Sequence, residues 1–456
     1  MKKEIKILSP TAILGYGFPV ESFQRGLERN PDAIAVDAGS VDPGPYYLGA
    51  GVSFTDREAV KRDLRLMIRA GKELNIPVLV GTAGGSGAAV HLEWCADIVS
   101  EIAIEQGYRL KIALLNADFD KEFIKERLSK GKIKPLYPLN DLTVEDIDSS
   151  SRIVGQMGLE PILRALEEEV DIVLAGRAYD PTVFAAPAIK EGFSVGLALH
   201  MGKILECASI AADPGSGSDC MLGTIREDSF ILEPLNEKRR CTVTSVAAHT
   251  LYEKSNPSRL YGPGGIIDLT AAEFKQLDDR RVEVRGSRFI EDDVYTIKLE
   301  GARKIGFRTI SIAGTRDPIM IDQIDEILNE IKRMVNENFT DLDDDEYQLF
   351  FKVYGKDGVM GELEPVQELR SHELGIIIES IAKTQELANT ICGFARSSML
   401  HYGYRGRIAT AGNLAFPYSP SDFKAGEVYE FNIHHLLEVD DPVKDFPMKI
   451  KEVGSK

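Results

Sequence analysis

Hydrophobic positions in the first half of the chain fall in short, nearly unbroken runs separated by longer amphipathic stretches. The runs cover residues 5–8, 33–36, 77–80, 110–115 and 170–175, and turn-forming residues follow each one. Between them, residues 20–29 and the segment after Thr55 carry apolar residues at helical spacing. In the latter, Val60, Leu64, Ile68 and Leu74 lie near one face. Thr55-Asp56-Arg57-Glu58 reads as its capping box, with the Thr55 hydroxyl accepting from the Glu58 amide. Apolar runs that do not alternate indicate strands buried on both faces, hence a doubly wound, mostly parallel α/β sheet. Right-handed crossovers place the carboxyl ends of such strands on one edge, where open α/β sheets bind ligands.

The second half is patterned differently. Strands are predicted over 294–299, 307–312, 347–354, 374–378 and 428–433, with helices over about 320–335 and 384–400. This mixed order predicts a smaller α+β domain. The Pro/Gly-rich stretch 255–265 marks the join, giving an α/β domain over 1–262 and an α+β domain over 263–456. The acidic run 341–346 reads as a solvated loop.

Composition narrows the function classes. At 456 residues, with 43% hydrophobic and 28% charged side chains, the chain is an ordinary globular protein of two or three domains. Its net charge of −18, with no strong basic patch, argues against a nucleic-acid partner. The five cysteines are scattered without a CxxC pair, as expected of reduced thiols in the cytoplasm. No apolar stretch approaches the roughly 20 residues of a membrane span, and Lys6 interrupts the only N-terminal run. A cytoplasmic homo-oligomer acting on a small anionic substrate is expected.

Candidate chemistry gathers at the predicted strand ends. The third run leads through Gly81-Thr82-Ala83-Gly84-Gly85-Ser86-Gly87 directly into a helix. Glycines let an anion approach the exposed amides of a helix amino terminus, so Gly84, Gly85, Ser86 and Gly87 are candidate substrate-binding residues. A tight strand–helix turn is the alternative. The loop is neither a P-loop nor a dinucleotide fingerprint, so no ATP or NAD motif is present. Ser86 does not sit in a nucleophile elbow, because Ala88 stands where the second glycine belongs.

Asp37 and Asp42 follow the second run, Asn116, Asp118 and Asp120 the fourth, and Arg177 and Asp180 the fifth. Asp37 and Asp180 are candidate proton-transfer groups if burial raises a pKa. Asp42 and Asp118 are candidate ligands for a divalent metal such as Mg²⁺. A turn or cap is the ordinary role of any one of these aspartates; it is their concentration on one predicted edge that argues for function in one or two of them. Asn116 and Arg177 are candidate substrate contacts, the guanidinium suiting a carboxylate or phosphate, although it can equally pair with a nearby aspartate. None of the seven histidines has metal-site spacing. His249, in a predicted helix, is the histidine to examine as an acid–base group, against the ordinary alternative of a core or surface role. A second dense patch, His401–Pro417, contributes Arg407 and Asn413 as candidate contacts for an anionic ligand or an interdomain contact; cations that complement a helix C-terminus are an equally simple reading.

Four segments, 37–45, 81–87, 176–181 and 407–417, together resemble the acyclic terpene utilisation (AtuA-like) family, and the resemblance extends over most of the chain. That family takes its name from the breakdown of acyclic terpenes through acyl-CoA intermediates. The resemblance implies a catabolic role but assigns no residue a function. The residues favour an enzyme acting on a small carboxylate or acyl thioester by lyase or hydratase chemistry. A non-catalytic ligand-binding or scaffold subunit of a catabolic complex is the alternative.

Overall fold

The computed structural model describes residues 2–343, 345–408 and 410–454; Asp344 of the acidic run and Ala409 of the 407–417 segment lie outside them. The chain forms two compact units, Met1–Arg303 with Phe431–Lys456, and Lys304–Glu430.

The first unit is built on a ten-stranded sheet. Its centre is parallel, in the order Ile5–Ser9, Ala33–Asp37, Val78–Gly81, Ile172–Ala175 and Leu110–Leu115. These are the five predicted strands. Antiparallel strands extend both flanks: Met221–Ile225, Ser229–Pro234, Val282–Arg285 and Glu273–Gln276 on one, Met448–Val453 on the other. Both faces are covered, which explains why the runs do not alternate. Ile34 and Val36 pack with residues of the helices Val20–Leu27, Arg57–Leu74 and Ala89–Gln106. Ala33 and Ala35 pack in the core that holds the helices Glu160–Glu167, Thr182–Lys190 and Val195–Leu205.

The boundary expected at 262/263 falls elsewhere. Arg259–Gly262 and Gly265–Asp268 are the arms of one hairpin, and Val282–Arg285 joins the large sheet, so residues 263–303 extend the first unit. The Pro263-Gly264 break is a hairpin turn within a domain. The capping box also shifts by one residue. Asp56 caps the Arg57–Leu74 helix, accepting from the Ala59 amide at 2.9 Å, while Thr55 Oγ1 lies 3.0 Å from Ser53 Oγ.

In the second unit, residues 307–315 of the strand Thr296–Thr315 pair antiparallel with Leu374–Ala382, which pairs in turn with Tyr347–Tyr354. The helices Ile324–Asn338 and Gln385–His401 bury Ile327, Ile331, Ile391 and Ala395 in its core. The strands expected at 294–299 and 307–312 are thus one continuous strand, and the helix expected from 320 is split into Pro318–Asp322 and Ile324–Asn338. No described helix is long and apolar enough to cross a membrane.

Candidate active site

Parallel strand ends bring Asp37, the 82–87 loop and residues 176–180 to one edge of the first unit's sheet. The glycines there serve backbone packing. A Cβ on Gly87, at φ +68°, would lie 2.3 Å from the Arg177 amide nitrogen, and one on Gly84 would lie 2.2 Å from the His91 carbonyl oxygen. Gly85 has φ +110°, and its carbonyl oxygen blocks any side chain on Gly39. The loop is therefore pressed against neighbouring backbone, as the tight-turn reading requires. The helix amino terminus after it already has an anion: the Asp118 carboxylate accepts from the Ala89 amide at 2.9 Å. Burial pushes the Asp118 carboxyl up, and this hydrogen bond opposes the shift. Ser86 is fully buried, and its hydroxyl has no partner.

Arg177 lies beneath this edge, fully enclosed. Its Nε donates to Glu300 at 2.7 Å, and its Nη1 donates to the Ala178 carbonyl at 2.8 Å and to Asp180 at 3.1 Å. Lys298 sits 2.9 Å from the other Glu300 oxygen. Burial raises the Glu300 pKa, but Arg177 and Lys298 outweigh it and hold the carboxyl down to about 2. Arg177 is thus engaged by the protein's own carboxylates and acts as a fixed positive charge in the floor.

Around Arg177, the carboxyl groups of Asp37, Asp180 and Glu206 share one neighbourhood. Asp37 ends its strand, with Oδ1 accepting from the Gly39 amide at 3.3 Å. Burial drives its pKa far up; Asp180 and Glu206 add to the shift, and Arg177 opposes it. Glu206 caps the carboxyl end of the Val195–Leu205 helix and pairs with Lys203. Burial and the Asp180 charge outweigh that lysine and push the Glu206 carboxyl up to about 7. The negative end of the helix dipole acts in the same direction. Burial pulls Lys203 down, but Glu206 outweighs it and the ammonium is stabilised. Lys203 Nζ also lies 5.5 Å from the centre of the Tyr252 ring, which stacks on His249 at 5.4 Å. Burial and Lys203 lower the His249 pKa to about 4, so this histidine is neutral at pH 7. Three buried polar atoms in this cluster lack a protein partner: Tyr179 Oη, Glu206 Oε2 and His249 Nε2. Orphans of this kind are uncommon, and together they fit a site that receives a polar ligand.

A family model, "Acyclic terpene utilisation family protein AtuA", matches residues 58–216 and 226–412, more than half of the chain. The chain belongs to that family. No curated protein and no solved structure matches it. The matched stretches of this AtuA-family chain include Arg177, Asp180, Lys203, Glu206, His249 and Glu300, whereas Asp37 precedes them.

The other candidates are not gathered here. Asp42 is exposed, with Oδ2 accepting from the Ser40 hydroxyl at 2.8 Å. Asn116 closes a turn by accepting from the Asp118 amide at 3.3 Å, and Asp120 caps the helix Lys121–Ser129. Asp42 and Asp118 are thus engaged separately, and among the described residues no group of three or more His, Cys, Asp or Glu side chains could hold a metal. Arg407 and Asn413 belong to the second unit. Asn413 Nδ2 donates to the Met399 and Tyr402 carbonyls at the end of the Gln385–His401 helix, and Arg407 Nε donates to Asn413 Oδ1 at 2.5 Å. This closes a helix C-terminus, one of the two readings of that patch.

Lys203, Glu206 and Glu300 lie outside the strand-end pattern that selected the candidates, and Tyr179, inside it between Arg177 and Asp180, was passed over. One signal pointed to two of them. Lys203 and Glu206 are charges at the end of the otherwise apolar stretch 195–205, and a charge in a helix buried all round needs a partner or a function.

Proposed function

We propose that this AtuA-family protein is an enzyme that moves protons on a small carboxylate or acyl thioester, by lyase or hydratase chemistry. A proton leaves the carbon next to a carbonyl, and water is lost or gained. The observation that carries this reading is the mutual proximity of Asp37, Asp180 and Glu206, with Asp180 paired to Arg177, Glu206 paired to Lys203, and Glu206 pushed up to about 7. A carboxyl group poised there both accepts and returns a proton at neutral pH. Lys203 keeps Glu206 in place, and the fixed charge of Arg177 favours an anionic intermediate. The family's link to terpene utilisation makes acyl derivatives from that catabolism the first substrates to try.

The test is deuterium exchange. Enoyl and 3-hydroxyacyl thioesters and short hydroxy acids are incubated with the protein in D₂O, and loss of the α-proton signal is followed by NMR. The wild type exchanges at least one of them, and Glu206→Gln slows that exchange by roughly 10²-fold or more, the usual contribution of a positioned acid–base group. Equal exchange by wild type and variant removes the proposal.

One observation favours a second reading, a ligand-binding or scaffold subunit. In the second unit, Val359 and Leu363 are about four-fifths exposed (82% and 79%), and Val366 is 61% exposed. A chain that binds these compounds without exchange, and sediments as a complex only with a partner enzyme, has that role.

A further inference from the structure

A second lysine joins the Lys203–Glu206 pair from the turn that follows the helix Val243–Thr250. The Lys254 amide donates to the Leu251 carbonyl at 3.1 Å, and its Nζ lies over the Tyr179 ring, 5.5 Å from the centre. Among the described residues Lys254 forms no ion pair, unlike Lys203 and Lys298. The groups facing it are Lys203 and Glu206 from the end of the Val195–Leu205 helix, Tyr179 and Asp180 from the loop after Ile172–Ala175, and Lys298 from the strand Thr296–Thr315. Burial, then the Lys203 charge, lowers its pKa, with Glu206 and Asp180 opposing. The phenol beneath Lys254 has a buried hydroxyl without a partner. An amine half-buried beside a second ammonium, with no carboxylate paired to it, loses its proton more readily than an exposed lysine, and the unprotonated amine is the nucleophile.

We propose that Lys254 is a Schiff-base lysine for a small carboxylate that carries a ketone or aldehyde group. This rests on the acid–base reading of the same site and narrows its substrate class. The Nζ lone pair forms the C–N bond as the carbonyl π bond breaks and its oxygen takes a proton relayed by Glu206. The carbinolamine then loses that oxygen as water. The two hydrogens of the water replace the two that leave the amine nitrogen, so the step needs no oxidant or reductant. The Tyr179 hydroxyl supplies a hydrogen-bond donor for the oxygen as it leaves. Protonated, the imine draws electrons from the adjacent C–H bond, the bond that the carboxyl cluster breaks.

The test is reductive trapping on the full chain. The protein is incubated at pH 7 with pyruvate, and separately with 4-oxopentanoate, in the presence of sodium cyanoborohydride, and its peptides are mapped by mass spectrometry. The expected result is an adduct on Lys254 that forms roughly tenfold or more faster than on any other lysine. It is absent from Lys254→Arg and unchanged in Lys238→Arg, an exposed control. Adducts spread evenly over the lysines, or none with either probe, overturn the proposal. Mapping the wild type needs no variant to fold. Deuterium exchange without an adduct removes Lys254 alone; an adduct without exchange on any compound removes the acid–base reading instead.

Discussion

Glu300→Gln deletes the charge that holds Arg177 in the floor of the site. Both side chains are buried, at 1% and 2% exposure, so solvent screens the pair little. The Glu300 pKa stands at about 2 against an ordinary 4.5. At about 1.36 kcal/mol per pKa unit, that difference corresponds to about 3 kcal/mol of stability at neutral pH. Leaving one partner of a buried pair alone costs roughly 3–5 kcal/mol, the same range. The sign follows from a folded-state pKa below the unfolded one: the contribution is present above pH 4.5 and disappears as pH falls toward 2. Urea unfolding followed by fluorescence suits the measurement. The single tryptophan, Trp94, lies on the helix Ala89–Gln106 and packs against the first unit's core. Glu300→Gln should lower stability at pH 7 by about 3 kcal/mol, with the deficit shrinking below pH 4.5. Combined with Arg177→Met, it should cost less than the sum of the single changes. A loss under about 1 kcal/mol, or a deficit that does not change between pH 4.5 and 2, refutes the buried pair.

Other perturbations probe the neighbourhood separately. Glu206 has a folded-state pKa above its unfolded one, so wild-type stability should decline between pH 4.5 and about 7, and Glu206→Gln should remove that slope although it strands Lys203; thermal unfolding across that range measures it. Gly87→Ala and Gly107→Ala both place a side chain at positive φ, +68° and +66°, but only Gly87 faces backbone at 2.3 Å. The Gly107 variant should lose about 1–2 kcal/mol, and the Gly87 variant several-fold more or its soluble yield. Asp118→Ala should cost about 1 kcal/mol through the Ala89 amide, measured by urea unfolding, because the carboxylate works there as a helix cap.

Local pattern made the parallel sheet readable. Its five strands are short apolar runs because helices cover both faces, and each run's end is marked by residues such as Asp37 or the 81–87 glycines. Where competing local signals were close, the structure chose differently: Asp56 rather than Thr55 caps its helix, and Pro263-Gly264 turns a hairpin rather than ending a domain. Asp37, Asp180, Arg177 and His249 were legible as strand-end or polar-motif residues, and all four reach one neighbourhood. Lys203, Glu206, Lys254 and Glu300 were not. Their roles depend on burial and on neighbours that the fold brings in from other elements, such as the Arg177–Glu300 pair, separated by 123. Asp118 shows the converse: a residue type suited to metals is occupied by a backbone amide brought to it by the fold.

The proposed function requires the buried Glu206 carboxyl, beside Asp37 and Asp180, to change protonation near neutral pH. Infrared difference spectra of wild type against Glu206→Gln, recorded from pH 5 to pH 9, read the C=O stretch of protonated carboxyl groups directly. A band present at pH 5, absent from the variant and lost with a midpoint near pH 7 is the expected result. A wild-type spectrum that shows no such band at pH 5, with Glu206 already ionised, contradicts that requirement.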